Sequence, residues 1–330
     1  MTDLVAIARS LVAPGKGILA ADESTLTATT RLATYGIKAS EEMRRQFRDL
    51  FLSTPGVERY LSGVILFEET FAQKGSDRRR FPNSLAARDI APGIKVDQGT
   101  EPLQGSPHET ITNGLLGLPE RLADYKRRGA VFTKWRAVIR IEDDTLPSSA
   151  AIHENMQRLA TYAREAQMVG LVPIVEPEVL LTGAHSRQRA RAVLEETLAA
   201  LFSVLEEHTV DRASLILKTS MTLSGSESSR KDTPEEVAED TLAALASHVP
   251  RQIAGIVFLS GGQSPEEATK NLAAITRLAK TQGAPWPLSF SFARALQDEA
   301  LEVWRGKEEN VVLARQAFLA RLAKVSATLT

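Results

Sequence analysis

Eight short apolar runs punctuate this 330-residue chain, with starts falling roughly 30–45 residues apart. They are Gly17–Ala21, Gly63–Phe67, Gly93–Val96, Val131–Trp135, Val172–Glu176, Ser214–Lys218, Gly255–Ser260 and Leu288–Ser291. Runs this short and this uniformly apolar fit strands buried on both faces, as in a parallel sheet. Each gap can hold a crossover helix, which parallel neighbours need. Eight such units predict a single-domain (β/α)8 TIM barrel over residues 1–330, with a doubly wound open sheet as the competing arrangement.

The gaps carry helix signals. In Arg191–Glu207, Val193, Leu194, Thr197, Leu198, Leu201, Val204 and Leu205 keep to one side, with Thr197 the polar exception. Ser264-Pro265-Glu266-Glu267 and Thr233-Pro234-Glu235-Glu236 read as capped helix starts with a first-turn proline. Ser40-Glu41-Glu42 places negative charge in a first turn. Two stretches read as long loops: Gln73–Ala91, with the solvated basic run Arg78–Arg80, and the Ser/Thr/Gly-rich Thr219–Asp232.

Several function classes are disfavoured. A net charge of −1 gives no global field for nucleic acid, so an anionic substrate must meet a local cluster of Lys and Arg. The absence of cysteine excludes disulfides, thiolate catalysis and Cys-zinc sites. None of the five histidines falls in an HxH or HExxH pattern, and no Gly-rich nucleotide loop is present. No metal and no cofactor are therefore expected. The N-terminal segment lacks a signal peptide's features, and no run approaches the ~18 apolar residues of a membrane span. A cytoplasmic location without membrane partners is the expectation.

The apolar runs end in charge. Leu215-Ile216-Leu217 leads into Lys218, Val172–Val175 into Glu176, and Val131–Thr133 into Lys134-Trp135-Arg136. Lys218 is either a member of a structural ion pair or an amine nucleophile. An ordinary lysine, with a pKa of ~10.4, is almost wholly protonated at neutral pH. Burial and a neighbouring cation favour the free amine, and Lys134 or Arg136 would supply that cation. A free amine attacks a ketone to form an iminium ion, an electron sink for cleaving the adjacent carbon–carbon bond. Forming it requires an acid to expel water. Glu176, held extended by Pro177, is the candidate, with Glu178 beside it. Asp22, after the first run, is a helix cap when read alone; beside Lys218 and Glu176 it becomes a base for the hydroxyl beyond the scissile bond.

Ser260-Gly261-Gly262 and the later Ser291 and Arg294 suggest a phosphate site. Glycines let backbone N–H groups approach an anion, a helix N-terminus adds positive character, and arginine grips phosphate with two bonds. Loops after the seventh and eighth strands are the usual phosphate position in a barrel. Lys95, Ser24 and Arg31 offer a second anion site or are ordinary surface residues.

Together the blocks Gly15–Thr25, Gly63–Phe67, Gly93–Asp97, Lys134-Trp135-Arg136, Val172–Glu178, Leu259–Ser264 and Arg294–Gln297 strongly resemble class I fructose-1,6-bisphosphate aldolase, in order and across most of the chain. The resemblance implies a (β/α)8 barrel and a homotetramer acting on sugar phosphates in glycolysis and gluconeogenesis. It aligns Lys218 with the Schiff-base lysine, Glu176 with the main acid/base, Asp22 with the aspartate assisting cleavage and Lys134 with the lysine tuning the site. Glu178 and Arg136 resemble partners of that centre. Ser260, Gly261, Gly262, Ser291 and Arg294 resemble the 1-phosphate cradle, Arg31 a mobile sugar-phosphate contact, and Lys95 and Ser24 contacts to the 6-phosphate.

Four departures qualify the match. Thr219-Ser220 follows the lysine where Pro-Asn is usual, and Thr30 stands where a lysine is usual. Ala293 replaces a glycine, so a negative φ is expected there. The sequence ends at Thr330 without the tyrosine tail of animal members, so Glu176 or the released phosphate is expected to handle the enamine proton. Two alternatives stay open: a related aldolase preferring fructose 1-phosphate or sedoheptulose 1,7-bisphosphate, and a non-catalytic sugar-phosphate-binding scaffold.

Overall fold

A computed structural model describes residues 3–142 and 144–330. Ten strands follow in order: β1 (Gly17–Ala21), β2 (Leu61–Leu66), β3 (Ala91–Lys95), β4 (Thr100–Leu103), β5 (Ser106–Thr112), β6 (Phe132–Ile139), β7 (Val172–Val179), β8 (Ile216–Thr219), β9 (Gly255–Phe258) and β10 (Leu288–Phe292). Eight of them close into a barrel in the order β1-β2-β3-β6-β7-β8-β9-β10, every neighbouring pair parallel. Closure excludes the doubly wound open sheet. β4 and β5 form a separate antiparallel hairpin after β3.

The helices are α1 (Leu4–Leu11), α2 (Thr25–Thr34), α3 (Glu41–Leu52), α4 (Glu68–Ala72), α5 (Phe81–Ala86), α6 (Leu118–Arg127), α7 (Ser149–Val169), α8 (Arg187–Glu207), α9 (Pro234–His248), α10 (Pro265–Gln282), α11 (Arg294–Trp304) and α12 (Val311–Ser326). The capped starts are present: Thr233 with Glu236, and Ser264 with Glu267, each complete a reciprocal capping box. The apolar side of α8, Thr197 included, is buried. The expected loop over Gln73–Ala91 instead contains α5, which buries Phe81 and Leu85, while Arg78–Arg80 are exposed.

The inner face of the barrel changes character along each strand. Ile18, Ala20, Phe132, Val172, Ile174, Ile216 and Val257 form one buried cluster with Ala8, Leu11 and Val12 of the N-terminal segment. Side chains two residues apart share a strand face. The next positions on that face are therefore Asp22 after Ala20, Lys134 and Arg136 after Phe132, Glu176 and Glu178 after Ile174, and Lys218 after Ile216. Within two residues the lining turns from apolar to ionic, at the C-terminal ends of the strands. At the other end, room is made by glycine: a Cβ on Gly93 would lie 2.2 Å from the Phe132 ring, and on the outer face of the barrel one on Gly17 would lie 2.5 Å from Phe290.

Candidate active site

The ionic residues at the strand ends line a cavity of about 730 Å³. Asp22, Ser24, Lys95, Lys134, Arg136, Glu176, Glu178, Lys218, Ser260, Gly261, Ser291 and Arg294 all contribute to its wall. Strand register sets their heights: Lys95 lies opposite Lys134, and Arg136 opposite Glu176.

At the centre is a chain of alternating charges. Asp22 Oδ2 lies 2.5 Å from Lys134 Nζ. Lys134 Nζ lies 2.9 Å from Glu176 Oε2, and Glu176 Oε1 lies 2.9 Å from Lys218 Nζ. Lys134, Glu176 and Lys218 are each only 3 % exposed, so these charges feel one another through little water. Beside them, Arg136 pairs with Glu178. Asp97 accepts the Arg136 backbone N–H at 3.2 Å and pairs with Lys95 at 2.5 Å.

The electrostatic balance follows. Burial pushes the Asp22 carboxyl up, but Lys134 and Lys218 outweigh it and hold that carboxyl well below the usual range. Glu176 is likewise lowered, burial being overcome by Lys134 and then Lys218. For Lys134, burial works against the ammonium, yet Asp22 and Glu176 raise it above an ordinary lysine. Lys134 is thus a fixed cation between two carboxylates. Glu176 Oε2 is buried and has no aligned hydrogen bond among the described residues, its near partner being the Lys134 ammonium.

A second constellation lies across the mouth. Gly261 and Gly262 have φ of +59° and +103°, left-handed conformations that side-chain-bearing residues rarely adopt. A Cβ at Gly262 would sit 3.6 Å from an Arg294 guanidinium nitrogen, so that side chain lies against the turn. Arg294 opens α11, whose preceding residue, Ala293, has φ −106° and no capping side chain. The negative φ is as expected. Ser291 Oγ is buried and lacks a hydrogen-bond partner among the described residues. An uncapped helix start, a free hydroxyl and a guanidinium without a carboxylate partner among the described residues make an anion cradle.

Not every expected residue reaches the cavity. Arg31 does not line it: its guanidinium pairs with Glu23 at 2.5 Å and Asp298 at 2.6 Å. Gly262 shapes the cradle's turn without lining the cavity. Ser24 lines the cavity but also caps α2, accepting the Thr27 N–H at 3.2 Å. The sequence reading gave no role to Asp97, although the Gly93–Asp97 block ends on it, nor to Arg121, which donates to the carbonyls of Val96 and Gly114. Their signal was weak because each is defined by the backbone it holds. Among the described residues, no group of three or more His, Cys, Asp and Glu is arranged to hold a metal ion.

An ionic lysine–carboxylate chain buried at the C-terminal mouth of a closed barrel, facing an anion cradle, defines an enzyme of phosphorylated carbonyl compounds. The profile of the glycolytic fructose-bisphosphate aldolase class-I family matches residues 3–330, and the chain belongs to that family. Its members are lyases that work through a lysine Schiff base. The chain is 52 % identical over 319 residues to "Fructose-bisphosphate aldolase 6, cytosolic" of Arabidopsis thaliana, covering 97 % of this chain and 88 % of the relative. It is 48 % identical over 301 residues to a "Probable fructose-bisphosphate aldolase class 1" of Xanthomonas axonopodis pv. citri, covering 91 % and 89 %. The fructose-bisphosphate aldolase of Plasmodium falciparum, solved in complex with TRAP and a small-molecule inhibitor, superposes with a TM-score of 0.96 at 42 % identity, covering 99 % of this chain and 93 % of that one.

Proposed function

We propose that Lys218 is the amine that forms the Schiff base with the C2 ketone of open-chain fructose 1,6-bisphosphate. Glu176 protonates the hydroxyl of the carbinolamine, and water leaves as the iminium forms. Asp22 takes the C4 hydroxyl proton while the C3–C4 bond breaks, its electrons flowing into the iminium to give an enamine. Glyceraldehyde 3-phosphate departs, C3 is reprotonated, and hydrolysis of the iminium frees dihydroxyacetone phosphate and restores Lys218. The observation that carries this assignment is the single carboxylate of Glu176 shared by Lys218 and Lys134 at 2.9 Å on each side. Lys134 keeps a positive charge beside both acids, while Glu178 and Arg136 flank the centre.

Ser260, Gly261, Gly262, Ser291 and Arg294 are the proposed 1-phosphate cradle, with Lys95 and Ser24 toward the 6-phosphate. Arg31 backs the Asp22–Ser24 segment through Glu23, and its contact to the sugar phosphate would require it to leave Glu23 and Asp298. One domain, residues 1–330, carries the whole reaction. The cytosolic Arabidopsis relative supports a cytoplasmic enzyme, and the family resemblance supports a homotetramer acting on sugar phosphates. No helix among the described residues is long and apolar enough to cross a membrane.

Incubation with dihydroxyacetone phosphate, borohydride reduction and peptide mass spectrometry test the nucleophile. The expected adduct is on Lys218; an unmodified Lys218, with activity intact, rejects the assignment. A monophosphate preference is the second reading, favoured by Thr30, by the withdrawal of Arg31 and by the pairing of Lys95 with Asp97. The ratio of rates on fructose 1-phosphate and the bisphosphate separates the two. Cleavage that survives a chelator is expected in either case.

A further inference from the structure

Two neighbouring strand pairs of the barrel, β10–β1 and β7–β8, are in register at only two positions each, and the second opens beside the ionic chain. β7 and β8 are in register only through Ile174 with Ile216 and Val175 with Leu217. Beyond that point β7 continues against β6 as far as Val179, and β8 continues against β9 through Lys218 and Thr219. The seam therefore begins at the height where Glu176 and Lys218 stand.

Its cause is legible in β7 itself. Val172 and Leu180 donate their N–H groups to carbonyls of Val131 and Ile139, on the β6 side. Backbone donors alternate sides along a strand. Residues 173, 175, 177 and 179 thus turn toward β8, and two of them, Pro173 and Pro177, have no N–H to give. The next donor on that side is Val179, and no backbone carbonyl of β8 meets it. The Ser220 hydroxyl does: it accepts the Val179 N–H at 3.0 Å and donates to the Val179 carbonyl at 2.9 Å. Ser220 is 6 % exposed, so little water is available to replace it.

We infer that Ser220 is a positioning residue for the lysine chemistry, its hydroxyl closing the β7–β8 seam and so fixing the spacing between Glu176 and Lys218. One hydroxyl serves as both missing ladder partners. It lies one residue beyond the end of β8 and ties to the residue that follows Glu178. The inference rests on the proposed pairing of Lys218 as nucleophile with Glu176 as acid. Dehydration of the carbinolamine needs the acid within hydrogen-bond reach of an oxygen carried by the lysine adduct, so a seam free to open slows that step. Ser260 and Gly261 line a small pocket beside Ser220, but the cradle's free hydroxyl and guanidinium, Ser291 in β10 and Arg294 at the start of α11, sit on other elements, so phosphate binding does not depend on the Ser220 hydroxyl.

The test compares Ser220→Ala with Ser220→Thr, which keeps the hydroxyl. Expected for the alanine variant is a fall in kcat of roughly 10- to 100-fold with KM nearly unchanged, and an equal slowing of borohydride-trappable adduct formation in single-turnover experiments. The threonine variant is expected to recover most of both rates. If alanine does not fold, Ser220→Cys takes its place, because a thiol fills similar space but bonds weakly. A kcat within twofold of the parent, a loss confined to KM, or a threonine variant as slow as the alanine one overturns the inference. Trapping on the unaltered protein keeps the two ideas apart: no adduct on Lys218 there rejects the nucleophile assignment, whatever Ser220 does.

Discussion

In the proposed mechanism Glu176 carries two opposed duties. It neutralises two buried ammonium groups, and it must also give and take a proton. Replacing it by glutamine removes the charge but keeps the shape. The expected outcome for Glu176→Gln is a folded protein with kcat lowered roughly 10²- to 10⁴-fold, measured by coupled assay of triose phosphate release. Lys134→Met is a harsher change, since it strands two carboxylates with no shared cation. Removing one partner of a buried ion pair costs about 3–5 kcal/mol, so urea unfolding of this variant at neutral pH is expected to show a loss of that order. Acid sensitivity follows from the same pairs. Asp22 and Glu176 are held below ordinary carboxyl values, so the unfolded chain takes up protons first as pH falls. Their stabilisation is full above the unfolded value of ~4 and is lost as pH drops through the lower folded values. The urea midpoint should fall on moving from pH 6 to about pH 3, and less steeply in Asp22→Asn.

At the scale of elements, glycine placement is as decisive as apolar pattern. Gly93 exists because the Phe132 ring occupies the space its side chain would need. Gly93→Ala is expected to destabilise by about 1–3 kcal/mol, read as a lower Tm, and Phe132→Leu on that background should recover part of it. The eight barrel strands were legible because burial on both faces writes a continuous apolar run. Their far ends were not. β6 and β7 were read as stopping at Trp135 and Glu176, whereas pairing runs on to Ile139 and Val179. Pairing there is carried by backbone while the side chains turn ionic, so hydropathy marks the floor of the site and not the end of the strand. The hairpin of β4 and β5 gave no signal because Thr100, Glu101 and Pro102 are exposed. The cradle and the ionic chain were visible as residue types at strand ends. Ser220 was visible only as a departure from a family pattern, since its role depends on what two prolines leave undone.

Taken as a whole, the molecule offers anions no long-range attraction, because its net charge is only −1. Under the proposed binding mode, capture depends on a few local cations, Arg294 foremost. Arg294→Ala is therefore expected to raise KM for the bisphosphate about 10-fold or more, with kcat reduced less. Association should weaken only modestly with added salt, because screening over roughly a Debye length of 10 Å at 0.1 M acts on a short-range field.

α1 adds a last consequence. Leu11 and Val12 press against Gly63 and Gly255 at the N-terminal ends of β2 and β9, and the Ser62 hydroxyl donates to the Leu11 carbonyl at 2.6 Å. With Phe132 above it, this segment corks the tube from below. A corked tube has one doorway, so both trioses must come and go by the same route. The half still bonded to the enzyme cannot slip out behind its twin, and traffic through the doorway is ordered: the free aldehyde leaves first, and the tethered triose waits its turn.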